Sequence, residues 1–392
     1  IVLTGKTLSE DERRELSAGI AGIVQKSGAG IDSVVAEVRR LLFDPTQAPS
    51  LALPRILYVE DSAQNRDVVR RHLHGIFSVI EAEEARSRRL AAGTHEWTVR
   101  LTDQQRSDYE RDLELDFSIS FGTDMRFRVN TFNTIYGAAA VFRTIPTKIL
   151  SLETLGTPEV LKRLCHLHKG LILVTGPTGS GKSTTLAAMI DYINTTFNKH
   201  ILTVEDPVEF VHAPKRSLIN QREVGGSTRS FAKALKSALR EDPDVILVGE
   251  LRDLETIQLA MTAAETGHLV FGTLHTSSAA KTIDRIIDVF PAGEKPMVRS
   301  MLSESLRAVI AQTLLKKVGG GRVAAHEIMV GIPAIRNLIR EDKVAQMYSS
   351  IQTGANFGMQ TLDQCLQDLV KRGLVTRQQA MSYAKDKRLF EA

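Results

Sequence analysis

Short apolar runs alternate with amphipathic stretches from about residue 155 onward. The runs Leu171–Val174, Ile201–Val204, Val245–Val248 and Leu269–Leu274 are each bounded by polar or glycine residues, a pattern that predicts buried strands. Strands that alternate with helices are typical of a largely parallel sheet. We therefore predict an α/β domain over 151–392, with helices in roughly its last 50 residues.

A different pattern precedes this domain. A polar helix is predicted over Thr102–Leu113, and strands over Asp116–Phe121, Arg126–Asn130 and Ala138–Phe142. These elements belong to a segment at 98–150, and two further segments, 1–54 and 55–97, precede it. Their predicted elements are an apolar stub at Ile1–Thr4, helices at 8–20, 31–42 and 65–73, and strands at 20–25, 56–59 and 77–80.

Composition excludes several classes of protein. The 392 residues contain 43% hydrophobic and 24% charged residues, which is ordinary for a soluble chain of two or three domains. A net charge of +4 gives no electrostatic footprint for nucleic acid. The two cysteines, Cys165 and Cys365, exclude a disulfide framework or a zinc ribbon. The chain shows no apolar run long enough to span a membrane, and its first residue, Ile1, suggests a fragment or an incomplete gene.

A phosphate-binding motif follows the first strand of the α/β domain. The sequence GPTGSGKST matches G-x-x-x-x-G-K-[ST] in the required position between a strand and a helix, which predicts nucleoside triphosphate binding. Lys182 would contact the β- and γ-phosphates, and Ser183 would contact Mg²⁺. The cofactors predicted are ATP and Mg²⁺. The loop residues are Gly176, Pro177, Thr178, Gly179, Ser180, Gly181, Lys182, Ser183 and Thr184.

Acidic residues follow two of the other predicted strands. Glu205, Asp206 and Glu209 form a cluster that could position water and take its proton. Glu250 ends a second buried strand and is placed to act on Mg²⁺. A capped strand end would explain one of the three clustered carboxylates but not all of them.

Two histidines, His268 and His275, bracket the strand Leu269–Leu274 and stand seven residues apart. A single histidine in such a position is more often structural than catalytic. With the other motifs present, both structural and phosphate-sensing roles remain open for the pair.

The segments GPTGSGKST, VEDPVEF, VILVGELRD and TGHLVFGTLHTSSA together resemble the secretion ATPase superfamily of bacterial type II and type IV machines. The likeness extends from about Thr102 to Phe390, and it implies a RecA-like motor domain that works as a homo-hexamer. Within the superfamily the chain is similar to type IV pilus retraction ATPases, because Ala334–Glu341 matches their retraction element. That resemblance implies a cytoplasmic location at the inner-membrane base of the pilus, and a membrane platform protein as partner. It also implies membrane association only through partners. We expect no nucleic-acid partner, because the near-neutral net charge provides no basic groove.

The resemblance also implies roles for individual residues. Glu209 matches the general base and Glu250 the Walker B acid, while His268 and His275 match the His-box pair. Arg126, Arg128 and Arg143 resemble arginines that approach nucleotide at a subunit boundary, although arginines on strand faces are usually only solvated.

The first hundred residues depart from the family pattern. Members carry a complete PAS-like domain before the motor, whereas here 98–150 resembles only part of one. Residues 1–54 and 55–97 resemble fragments of flavodoxin-like receiver domains, with Thr4, Lys26, Glu60 and Asp61 at matching positions but no phosphoacceptor aspartate. We expect that this arrangement results from a fused or chimeric gene. The alternative is that the receiver-like segments complete the PAS-like fold in a new way.

Three other functions remain as alternatives. An accessory retraction ATPase or a type II or type IV secretion ATPase would share the motor motifs. The retraction element and the missing zinc cysteines speak against the secretion forms. A phosphorelay receiver is less favoured, because the chain shows no acceptor aspartate.

Overall fold

The computed structural model describes residues 101–391 except 122–124, 136 and 146–147, together with four short strands at 2–4, 23–25, 57–59 and 80–82. Two compact units are present, one of residues 1–121 and 127–144 and the other of 122–126 and 145–392. The helices predicted at 8–20, 31–42 and 65–73 lie outside the described residues, as do Lys26, Glu60 and Asp61.

The first unit contains a five-stranded sheet in the order β4-β3-β7-β6-β5 and a two-stranded parallel sheet, β1-β2. Strand β3 pairs with β7 through Leu57 with Val141 and Tyr58 with Phe142, so the segments predicted as 55–97 and 98–150 share one sheet. The strands are β1 Val2–Thr4, β2 Ile23–Gln25, β3 Leu57–Val59, β4 Ile80–Ala82, β5 Glu114–Phe121, β6 Met125–Thr134 and β7 Gly137–Ile145.

The helix predicted at Thr102–Leu113 is present as α1, Asp103–Asp112. It begins after a capping box in which Thr102 accepts from the backbone N–H of Gln105 and the Gln105 side chain accepts from that of Thr102. Leu113 ends the helix in the left-handed conformation. The three strands predicted after it are all present and are longer than predicted.

A seven-stranded sheet in the order β10-β9-β11-β12-β8-β13-β14 forms the centre of the second unit. Every neighbouring pair is parallel except β13 with β14. The four buried strands predicted from sequence are β8, β9, β11 and β12, and the alternation with helices is confirmed. The strands are β8 Gly170–Thr175, β9 His200–Glu205, β10 Leu218–Glu223, β11 Val245–Val248, β12 Leu269–Leu274, β13 Leu306–Lys316 and β14 Arg322–Val330.

Helices cover both faces of this sheet. Leu171 and Leu173 of β8 belong to the hydrophobic cluster on one face, and Ile172 and Val174 belong to the cluster on the other. This alternation of side chains along a strand explains why the parallel strands are apolar throughout. The helices are α2 Val160–Cys165, α3 Lys182–Thr196, α4 Phe231–Ala238, α5 Leu254–Glu265, α6 Ala279–Asp288, α7 Lys295–Ser305, α8 Pro333–Arg340, α9 Met347–Thr353, α10 Leu362–Lys371 and α11 Arg377–Tyr383.

The two cysteines are free and buried in different clusters. Cys165 packs under α3, and burial raises the pKa of its thiol. Cys365 packs among the C-terminal helices with Leu366 and Phe390, and burial likewise raises its thiol pKa. No helix among the described residues is long and apolar enough to cross a membrane.

Helix α8 carries the retraction element. Its spacing predicts Ile335, Leu338 and Ile339 on a buried face, and Ile335 and Ile339 are fully buried. The same pattern leads us to expect Arg336, Asn337 and Arg340 to be free. None of them lies on the buried face, since Arg336 is half-buried and the other two are exposed, but each side chain makes a hydrogen bond. Arg336 donates to the carbonyl of Gly331 at 2.7 Å, Asn337 to Glu341 at 2.9 Å and Arg340 to Glu304 at 3.0 Å.

Candidate functional site

The phosphate loop lies at the carboxyl end of β8, between Thr175 and the start of α3 at Lys182. Gly181 caps α3 with a φ of 87°, a left-handed conformation that favours glycine. Gly176 has a φ of 145°, and a Cβ there would lie 2.3 Å from the carbonyl oxygen of Gln312. The glycines are therefore required by the path of the loop and by its contact with β13. The remaining loop residues, Pro177, Thr178, Gly179, Ser180, Ser183 and Thr184, lie in the same turn or in the first turn of α3.

Lys182 is buried inside this loop. Its ammonium donates to the carbonyl oxygens of Gly176 at 2.9 Å and Pro177 at 3.2 Å. Burial lowers the pKa of Lys182, while the carboxylates of Glu250 and Glu209 act in the opposite direction. The loop therefore holds a positive charge that interacts electrostatically with two carboxylates.

Gln312, on the neighbouring strand β13, forms hydrogen bonds to the phosphate loop and to α3. Its side-chain amide donates to the carbonyl of Ser180 at 2.7 Å and accepts from the Thr185 hydroxyl at 3.0 Å. Sequence reasoning missed this residue, although a lone glutamine inside the apolar run of β13 was a usable signal. The Oγ atoms of Thr175 and Ser180 are buried and lack a hydrogen-bond partner within the described part of the chain, so polar atoms at the loop remain for a ligand.

The carboxylates after β9 differ in their surroundings. Glu205 accepts hydrogen bonds from the Thr203 hydroxyl at 2.7 Å and from the Gln221 amide at 3.4 Å. Burial raises the pKa of Glu205, and these bonds oppose the rise. Glu209 is exposed and its carboxylate accepts no hydrogen bond from the residues that the structure describes. Asp206 is also exposed and interacts electrostatically with Arg252.

Glu250 follows β11 at the same edge of the sheet. Its carboxylate lies 2.7 Å from the Arg252 guanidinium and 3.5 Å from Nε2 of His275. Burial acts to raise the pKa of Glu250, but Arg252 and His275 outweigh it and hold that pKa below its usual value. Glu250 is therefore an ionised acid beside the phosphate loop. Sequence reasoning missed Arg252, which stands two residues after Glu250.

The two histidines lie at opposite ends of β12. Leu274 pairs with Thr175 beside the phosphate loop, whereas Leu269 pairs with Gly170 at the other end of the strand. Seven residue steps of about 3.3 Å each place His268 roughly 23 Å from His275 along the strand. Nδ1 of His268 lies 2.9 Å from the carbonyl of Ala263, at the end of α5. We therefore correct the expectation for His268, which is not part of the nucleotide site of its own chain.

The three arginines occupy strands β6 and β7. Arg126, which is counted with the second unit, lies 3.2 Å from Glu223. Arg128 lies 4.0 Å from Asp116 within the first unit, and Arg143 is exposed. Their predicted approach to a neighbouring subunit's nucleotide stays a prediction.

A parallel α/β sheet with a phosphate loop on one strand and carboxylates on two neighbouring strands defines a P-loop ATPase. Comparisons with known proteins agree. Residues 105–320 match the family described as Type II/IV secretion system protein. The chain belongs to this family.

Two curated relatives and one solved structure are especially similar to the chain. The type IV pilus retraction ATPase PilT of Pseudomonas aeruginosa is 69% identical over 285 residues, which are 73% of this chain and 83% of that protein. A twitching motility protein of Neisseria gonorrhoeae is 64% identical over 287 residues, covering 73% of this chain and 77% of that protein. The crystal structure of the pilus retraction motor PilT with bound ADP superposes with a TM-score of 0.69 at 52% identity, covering 74% of this chain and 82% of that one.

Proposed function

We propose that this chain is an ATP-hydrolysing motor that drives type IV pilus retraction and hence twitching motility. The observation that carries the catalytic part is the buried Lys182 ammonium of the phosphate loop, which interacts electrostatically with Glu209 and Glu250. The pilus-specific part is supported by the descriptions of the relatives at 69% and 64% identity.

Glu209 is the general base in this proposal. Its carboxylate is exposed, faces Lys182 electrostatically and is not engaged by other described side chains, whereas Glu205 is held by Thr203 and Gln221. Glu209 would take a proton from water as the water oxygen bonds to the γ-phosphorus. The bond between that phosphorus and the bridging oxygen would break, releasing ADP and phosphate. Lys182 would stabilise the charge on the phosphate oxygens.

Glu250 and Ser183 fit Mg²⁺. A hydroxyl and a carboxylate are hard oxygen ligands, and Mg²⁺ on nucleotides is usually bound by one or two protein groups together with phosphates and water. Bound there, Mg²⁺ would neutralise charge on the β- and γ-phosphates. His275, at 3.5 Å from Glu250, would orient that carboxylate and sense the γ-phosphate.

The assembly we propose is a homo-hexamer with a RecA-like motor domain and a PAS-like first domain. In it Arg126, Arg128 and Arg143 would approach the nucleotide of a neighbouring subunit. The ring would act on an inner-membrane platform protein at the cytoplasmic base of the pilus. The family resemblance supports these points, and the net charge of +4 offers no groove for nucleic acid.

Complementation tests the pilus-specific part. The wild-type chain is expressed in a twitching-deficient strain that lacks its own retraction motor, with Lys182→Ala as the matched control. We expect twitching to return with the wild-type chain only. Equal expression without any twitching, from a chain that hydrolyses ATP in vitro, would contradict the retraction role and leave the ATPase intact.

Helix α8 allows hydrolysis and retraction to be separated. Arg336→Ala with Arg340→Ala removes two guanidinium anchors far along the chain from the carboxylates of the site. We expect this variant to retain most ATPase activity and to lose twitching. Normal twitching would contradict a role for α8 in coupling, and equal loss of both would show that α8 only supports the fold.

A further inference from the structure

Glu327 of β14 is a buried acid that the proposed mechanism does not use. Only 3% of its side chain is exposed. Its Oε1 accepts from the backbone N–H of Ala279 at 2.8 Å, and its Oε2 accepts from the Lys385 ammonium at 2.6 Å. One carboxylate therefore joins the start of α6 to the C-terminal segment.

The hydrogen bond from Ala279 to Glu327 lies directly after the loop that carries His275. Ala279 is the first residue of α6, and Ser278 caps that helix through its side chain. Backbone N–H groups in a first helical turn have no partner within the helix, and a carboxylate there also interacts favourably with the helix dipole. Glu327 therefore fixes the point at which the segment after His275 enters α6.

The contact at Lys385 concerns the end of the chain. The Lys385 side chain is 41% exposed, and its ammonium lies 4.8 Å from the ring centroid of Tyr348. The backbone beside it is held by a second buried acid, Asp363, which accepts from the N–H groups of Lys385 at 2.8 Å and Asp386 at 3.1 Å. Asp363 therefore fixes the position of the backbone that carries the Lys385 ammonium.

The two contacts depend on each other. A buried carboxylate that loses its cation is strongly disfavoured, so it would turn toward water. That movement would weaken its bond to Ala279. The C-terminal segment can therefore influence the loop of His275 through a single side chain.

We propose that Glu327 is a positioning residue: the Lys385–Glu327–Ala279 contacts hold His275 against Glu250 and so couple the C-terminal segment to ATP turnover. This inference rests on the role proposed above for His275. The phosphate loop is held separately by Gln312, so the coupling acts on turnover and not on nucleotide affinity.

Steady-state ATPase kinetics of the 392-residue chain test this proposal. We expect Lys385→Met to lower kcat by about fivefold or more, since small displacements of catalytic groups are costly, with KM for ATP nearly unchanged. Lys385→Arg should retain kcat because it keeps the cation. The double variant Glu327→Gln with Lys385→Met should recover much of the loss, because a neutral amide can accept from Ala279 without needing a cation.

Matched variants make the outcome decisive. Lys387→Met removes an exposed lysine two residues away and should leave kcat unchanged. A normal kcat in Lys385→Met, with only a lowered Tm, would overturn the proposal. So would a double variant as impaired as the single one. If His275→Ala has a normal kcat, the role of His275 fails as well, whereas an impaired His275→Ala beside a normal Lys385→Met contradicts the coupling alone.

Discussion

The two ends of the parallel strands in the central sheet use the same residue types for different purposes. At the carboxyl end, Lys182 interacts electrostatically with Glu250, and His275 lies 3.5 Å from Glu250. At the amino end, Lys199 lies 2.7 Å from Asp244, and His268 bonds the end of α5. The pairs at the amino end join strand starts to one another and to a helix. A lysine, an acid and a histidine therefore make a site only where strand direction brings them to the phosphate loop.

Among the substitutions that test this comparison, Lys182→Ala should have the largest effect on ATP hydrolysis. The phosphate loop would lose the positive charge that stabilises the β- and γ-phosphates, so ATP hydrolysis should be abolished. Phosphate release by the purified protein measures this. Lys199→Ala is the matched control at the amino end and should retain hydrolysis. Substantial turnover in Lys182→Ala would contradict the assignment of the phosphate loop.

Glu209→Gln should lower kcat by roughly 10²-fold, because the amide keeps the shape of the side chain but cannot accept a proton. Glu205→Gln is its control within the same segment and should cost much less. Glu205 already accepts hydrogen bonds from Thr203 and Gln221 and has a structural position. The reverse order of the two losses would transfer the role of base to Glu205.

His275→Ala should lower kcat by about tenfold, whereas His268→Ala should leave kcat within about twofold of the wild-type value. Only His275 lies beside Glu250, and His268 bonds the carbonyl of Ala263. Thermal melting should rank the two variants in the opposite order, with the larger loss of Tm in His268→Ala. A large loss of kcat in His268→Ala, with unchanged melting, would show that this residue acts on the nucleotide of another subunit.

The smallest effect concerns a third histidine, His326, which is fully buried on β14. Burial lowers its pKa to about 4, from an ordinary value of 6.5. The unfolded chain therefore binds a proton that the folded chain does not between about pH 6.5 and 4, so acidification through this range reduces stability. One such group accounts for about 2 kcal/mol between pH 7 and pH 5.

Chemical denaturation at pH 7 and pH 5 measures this loss. His326→Leu should make the stability less dependent on pH. An unchanged pH dependence in His326→Leu would contradict the assignment. His212, whose pKa burial also lowers to about 4, would then be the next group to substitute.

The sequence predicted the apolar strands of the second unit and the residues of the phosphate loop, because both depend on local pattern. It did not predict that His268 lies at the far end of β12, because two histidines that flank a strand do not indicate which end of that strand carries the site. Gln312 and Glu327 were missed for a related reason. Each acts through a contact more than 40 residues away in sequence, and such contacts leave little local signal. The hydrogen bonds of the α8 arginines were not predicted, because helical spacing describes the buried face and not the reach of a long side chain.

The burial of both cysteines has a practical consequence for following the motor in motion. Thiolate is the form that reacts with maleimides, and burial of Cys165 and Cys365 both raises their pKa and blocks access. A cysteine introduced on the surface, such as Lys387→Cys, would therefore be the single site that accepts a dye on the natural background. Fluorescence from that dye could report movement of the C-terminal segment during turnover without prior removal of native thiols.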